Sequence, residues 1–115
     1  MISKGSEGAL CRRWPVRDAV ADVPTQARVS RPSSGTWSVT EYVCHLRDVY
    51  VTYTIRLHRA RTEHRSTLEP MLNDLRARRF RYNEHDVNVV LDELAATAGG
   101  FAKRSTTPAQ MTGTV

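Results

Sequence analysis

The sequence predicts an all-α domain. Two long apolar stripes recur at helical spacing, each preceded by a residue suited to cap a helix, and no strand-like alternation of useful length occurs. The chain has 115 residues, enough for one domain with one modest core. Hydrophobic residues make up 40% and charged residues 25%, the balance of a globular chain rather than a disordered one.

Residues 1–14 hold two glycines, scattered charge and Trp14 with no period, and read as a poorly ordered lead. Val16, Ala19, Val20, Val23 and Ala27 fall at helical spacing. Pro24 interrupts them, because it lacks an N–H and clashes with the preceding turn, so a short or broken first helix is expected. Residues 1–30 thus form a weakly patterned N-terminal segment. Arg31-Pro32-Ser33-Ser34-Gly35 is a loop by composition.

The strongest element follows. Ser38 can accept the N–H of Glu41, and Glu41 can reach back to the N–H of Ser38, which is a capping box. Trp37 can staple onto Tyr42 across the helix start. At about 100° per residue, Val39, Tyr42, Val43, Leu46, Val49, Tyr50, Tyr53, Leu57 and Ala60 form one stripe, leaving Arg47, Asp48 and Arg59 outside it. The spacing predicts a helix from 39 to about 62. Val51, Thr52, Thr54 and Ile55 lower its propensity, so packing must hold it.

Ser66-Thr67-Leu68-Glu69 offers a second, weaker capping box, and Leu68, Met71, Leu72 and Leu75 suggest two helical turns behind it, with Pro70 near their start. Arg76 to Tyr82 is basic and aromatic without a clean period. Asn83 or Asp86 then caps a helix whose stripe is Val87, Val90, Leu91, Leu94, Ala98 and Phe101. Gly99-Gly100 either ends this helix or weakens it by about 1 kcal/mol per glycine relative to alanine. Residues 31–104 read as one helical domain of three helices, and 105–115 as an unpatterned, disordered tail.

No apolar run approaches the roughly 18–20 residues that span a bilayer. The first residues, Met1-Ile2-Ser3-Lys4-Gly5-Ser6, lack the apolar core of a secretory signal, so a cytoplasmic protein is expected. Cys11 and Cys44 form neither a disulfide framework nor a Cys-x-x-Cys pair, and Cys44 reads as a packed, inert thiol. The net charge of +5 comes from arginines interleaved with acids, which reads as a solvated mixed-charge surface. Phe80, Tyr82 and the neighbouring arginines give a faint signal for stacking on single-stranded bases. With no zinc-finger spacing or helix-turn-helix pair, a basic nucleic-acid-binding module is the least favoured of the functions open to this chain.

His45 is the first candidate for chemistry. It lies about 40° outside the apolar stripe, where a side chain can point into a cleft and ligate a metal through a neutral ring nitrogen. One histidine is not a site, since a catalytic zinc centre needs about three protein ligands. The alternative is a boundary residue hydrogen-bonded to its surroundings. His58 is thirteen residues on, about 20 Å along the helix, too far to share the metal. His64 falls at a helix end, and His85 between Glu84 and Asp86 reads as a polar helix start. No nucleophile elbow or phosphate loop is present, and adjacent Cys44 and His45 diverge by about 100°.

At Gly35-Thr36-Trp37-Ser38-Val39 and His45-Leu46-Arg47-Asp48 the chain resembles the DinB-like superfamily, in its actinobacterial branch of mycothiol-dependent maleylpyruvate isomerase-type proteins. The resemblance extends over about residues 31–103. It implies a four-helix bundle with a divalent metal, zinc or nickel, at one end, and thiol-transferase or isomerase chemistry using mycothiol on a small-molecule substrate. The first metal-ligand position maps onto His45. The family's later ligands come from its last helix, typically as a His/Glu-x-x-x-His pair, and no histidine follows Phe101 here. The resemblance thus implies either a chain shortened or frameshifted relative to its relatives, or one that keeps the scaffold without the chemistry. The alternative function is a non-catalytic helical interaction protein, for which two apolar stripes with too few partner helices imply a homo-oligomer.

Overall fold

The computed structural model describes residues 15–106 and is all-α, with no strand among those residues. The expectations for 1–14, for Cys11 and for the tail beyond 106 lie outside the described residues. Four α-helices are described: α1, Pro15–Ala21; α2, Val39–Thr62; α3, Asn73–Arg79; and α4, Val87–Ser105. Short 3-10 turns cover Thr25–Val29 and Tyr82–Glu84.

The first helix is broken as Pro24 dictates: α1 stops at Ala21 and the 3-10 turn begins just after the proline. The capping box of α2 forms in both directions. Glu41 N–H donates to Ser38 Oγ at 3.1 Å, and Ser38 N–H donates to Glu41 Oε1 at 2.9 Å. The Trp37 and Tyr42 rings meet edge to face with centroids 5.1 Å apart, completing the staple. Asp86 caps α4 by accepting from the Asn88 N–H at 2.9 Å. Asn83 accepts instead from the Ser38 hydroxyl, tying the start of α2 to the turn before α4. Gly99 and Gly100 do not end α4, which continues through them to Ser105.

The main packing is α2 against α4. Successive pairs Arg47–Glu93, Tyr50–Phe101 and Arg61–Arg104 advance together along both helices, so α2 and α4 run parallel. The intervening chain must travel back along α2, and it does so through Glu69, beside Arg56 and Arg59, to Asp74, beside Trp37. The core gathers Val20 from α1, Val43 and Cys44 from α2, Ala77 from α3, Tyr82, and Val87, Val90, Leu91 and Leu94 from α4. No described helix is long and apolar enough to cross a membrane.

Two expectations are corrected. The helix anticipated from the Ser66 box does not form. Residues 66–72 are irregular, and α3 starts at Asn73, after Leu72 adopts a left-handed conformation at φ 54°, and runs into the basic stretch thought to lack a period. The buried face of α2 is also rotated from the apolar stripe. Thr40, Glu41, Val43, Cys44 and Asp48 are buried, while Tyr42 and Tyr53 are close to half exposed. Two carboxylates occupy that face because distant partners neutralise them. Arg31 grips Glu41 bidentately at 2.9 and 2.7 Å. Asp48 is held by Arg47 and Arg76, each at 3.1 Å, and by the Tyr82 hydroxyl.

Candidate functional site: the His45 position and an arginine-rimmed furrow

His45 lies on the first half of α2, half-buried against Trp37, with ring centroids 5.0 Å apart at an interplanar angle of 61°. Burial lowers its pKa, and the Asp48 charge opposes that shift only in part. The ring is therefore biased towards the neutral form that ligates metals. Its neighbours do not complete a centre. The Asp48 carboxylate is engaged by Arg47, Arg76 and Tyr82. The Cys44 thiol is fully buried, approaches the Tyr82 carbonyl at 3.7 Å, and is pushed by burial to about 11, which disfavours the ligating thiolate. No group of three His, Cys, Asp or Glu side chains able to hold a metal forms among the described residues. These residues do not by themselves fit a divalent metal centre.

The other histidines stand apart. His58 lines a hollow of about 310 Å³ with Arg61 and Arg104, on the far part of α2. His64 is exposed, and the His85 ring lies 3.0 Å from the Phe80 carbonyl at the approach to α4. Tyr82 is 1% exposed, so it offers no face to a base; its hydroxyl, desolvated and bonded to Asp48, is pushed up to about 12.

A concave surface that sequence reasoning missed lies between the second half of α2 and residues 69–80. One hollow of about 180 Å³ includes Ile55, Arg56, Arg59 and Glu69. A second of about 400 Å³ includes Leu72, Leu75, Arg79 and Phe80. Both are lined by Pro70, Met71 and Arg76, so the two hollows adjoin along this segment and together make up a furrow. Its apolar side chains remain open to solvent: Ile55 is 55% exposed, Leu72 58%, Leu75 37% and Phe80 55%. Leu72 points outward from a left-handed backbone, a conformation that costs a side chain with a Cβ about 1–2 kcal/mol.

Four arginines rim the furrow. Arg59 is paired with Glu63 at 3.2 Å and Glu69 at 3.1 Å. Arg76 holds Asp48 and lies over the Phe80 ring, 5.1 Å from its centroid, and its Nε is buried without a hydrogen-bond partner among the described residues. Arg56 lies over the Tyr53 ring at 4.9 Å and donates to the Glu69 carbonyl, and it makes no direct ion pair with a carboxylate among the described residues. Arg79 makes no ion pair with any described residue. The signal in the sequence is Leu68 to Leu75 followed by four arginines, a pattern that reads as two helical turns and a basic stretch. Comparison of the chain with protein-family models, with curated proteins and with solved structures gives no match.

Proposed function

We propose that this chain is a non-catalytic helical interaction protein on a DinB-like scaffold, and that its working surface is the furrow formed by α2 and residues 69–80. The exposure of Ile55, Leu72, Leu75 and Phe80 on one concave surface carries this reading. Fully burying a side chain of this size is worth about 1.5–3 kcal/mol. Covering several of them supplies a driving force that can outweigh part of the cost of association. The groove suits an amphipathic helix of another chain, which lays its apolar face on Leu72 and Leu75; a homo-oligomer is one form of such pairing. The test is to replace Leu72, Leu75 and Phe80 together by serine. A working surface predicts little change in thermal stability with loss of partner binding. Destabilisation on the scale of core truncations, about 2 kcal/mol or more per residue, would assign these side chains to the core instead.

A second reading keeps the inherited chemistry. The bias of His45 towards a neutral ring favours it as one ligand of a zinc or nickel ion, with the remaining ligands supplied by a second subunit or by solvent and mycothiol as the thiol cofactor. Metal content of the purified full chain, compared with His45→Ala, tests it: no zinc or nickel in the parent protein removes this reading.

A further inference from the structure

We propose that the occupant of the furrow is an acidic amphipathic helix of a different protein, with glutamates or aspartates flanking an aliphatic face. This rests on the interaction reading and names the partner's chemistry. The floor of the furrow is aliphatic at Ile55, Met71, Leu72 and Leu75, which fits leucine-like side chains better than the flat faces of bases. Phe80, the exposed aromatic ring, already has the Arg76 guanidinium against it. The rim carries four arginines against the single carboxylate of Glu69, and Arg56 and Arg79, at opposite ends of the furrow, make no ion pair with a carboxylate among the described residues.

Charge also argues against the occupants closest to hand. A second copy docked symmetrically would set this arginine rim against itself, in a chain that already carries +5. A head-to-tail contact would need a row of free carboxylates elsewhere on the molecule, but Glu41, Asp48, Glu63, Glu84, Asp92 and Glu93 are engaged by the chain's own arginines, Asp74 and Asp86 accept hydrogen bonds from Trp37 and the Asn88 N–H, and Asp22 is one acid against four rim arginines. Residues 1–14 bring Lys4, Arg12 and Arg13 against one acid, Glu7, and residues 107–115 contain no charged side chain. Neither segment complements the rim. Opposite charges placed along the flanks of a partner helix do, and they speed and orient its docking.

The experiment uses the full chain and three labelled helical peptides that share one leucine face at i, i+3, i+4 and i+7 and differ only in Glu, Gln or Lys flanks, read by fluorescence anisotropy. The Glu peptide is expected to bind, more weakly as salt is raised, with the Gln peptide roughly tenfold weaker and the Lys peptide not binding. The double variant Arg56→Glu, Arg79→Glu reverses one half-buried and one exposed charge outside the core and is expected to abolish the preference for Glu flanks. Equal binding of the Glu and Gln peptides overturns the proposal, and so does displacement of the Glu peptide by an equimolar single-stranded oligonucleotide. Sedimentation separates the two levels of the account. Self-association abolished by Leu72→Ser and Leu75→Ser, with no peptide bound, overturns the acidic partner while leaving an interaction surface. A monomer that binds none of the peptides overturns both.

Discussion

The Tyr82 hydroxyl donates a hydrogen bond to Asp48 Oδ2 across 34 residues of sequence, and both side chains are buried. This bond joins the turn before α4 to the middle of α2, and the Arg76 guanidinium brings α3 to the same oxygen at 3.1 Å. The opposite carboxylate oxygen receives Arg47, which continues to Glu93 on α4 at 2.7 Å. One carboxylate thus links α2, α3, the 82–84 turn and, through Arg47, α4. Tyr82→Phe is expected to cost about 1–2 kcal/mol, since Asp48 keeps its arginines. Asp48→Asn is expected to cost more, about 3 kcal/mol, because it leaves Arg76 without a carboxylate and Arg47 with Glu93 alone. Urea unfolding of the two variants checks both the magnitudes and their order.

Acid should destabilise the fold through two buried carboxylates. Burial alone would raise the Asp48 pKa, but the Tyr82 hydrogen bond and the two arginines overcome it and hold the group below its ordinary value. Glu41 is lowered chiefly by its hydrogen bonds from Arg31, against the opposing effect of burial. A carboxylate with a depressed folded-state pKa contributes stability above its unfolded pKa, near 4, and loses it as the pH falls through the folded value. Melting temperature should therefore fall below about pH 4. Glu41→Gln should be less stable at neutral pH and lose less on acidification, and a parallel acid limb in this variant would contradict the assignment.

These two carboxylates also mark the boundary of what the sequence reveals. The Ser38–Glu41 box, the Trp37–Tyr42 staple, the Pro24 break and the Asp86 cap all formed, because each depends on residues within a few positions of one another. The buried face of α2 was misplaced because Glu41 and Asp48 are made buriable by Arg31, Arg76 and Tyr82, whose positions are set only by the path of the chain. The start of α3 was misplaced because Leu72 takes a left-handed conformation that its residue type gives no reason to expect. The furrow followed from that shift. Of the residues expected to form two helical turns behind Ser66, Leu68, Met71 and Leu72 instead lie on an irregular segment, and Leu68, Leu72 and, on α3, Leu75 leave their side chains exposed. The sequence singled out His45, and its neighbours turned out to be an aromatic ring, an engaged carboxylate and a buried thiol.

Cys44 is expected to be inert in the folded protein. It is inaccessible, and burial pushes its thiol to about 11, so little thiolate exists at neutral pH. Iodoacetamide at pH 8 should leave Cys44 unmodified in the native state and label it in urea, as read by peptide mass mapping that separates it from Cys11. Native labelling of Cys44 at the rate of a free thiol would contradict its burial.

The glycines inside α4 offer a stabilising change. A Cβ added at Gly99 meets nothing within 4 Å, and no positive φ reserves the site for glycine. Gly99→Ala should stabilise the protein by about 0.5–1 kcal/mol through helix propensity and a less flexible unfolded chain. A Cβ at Gly100 comes within 3.0 Å of the end of the Arg104 side chain, which must shift, so the gain there should be smaller. Thermal melts of the two alanine variants establish the order.

The central claim is that the furrow, and not the surroundings of His45, is the working surface. The most direct measurement is an amide NMR titration of the full chain with the Glu-flanked leucine peptide. The account predicts shifts concentrated at Ile55, Arg56 and residues 71–80, with the amides around Trp37 and His45 little changed. Shifts centred on Trp37 and His45, or no shifts at all, would contradict it.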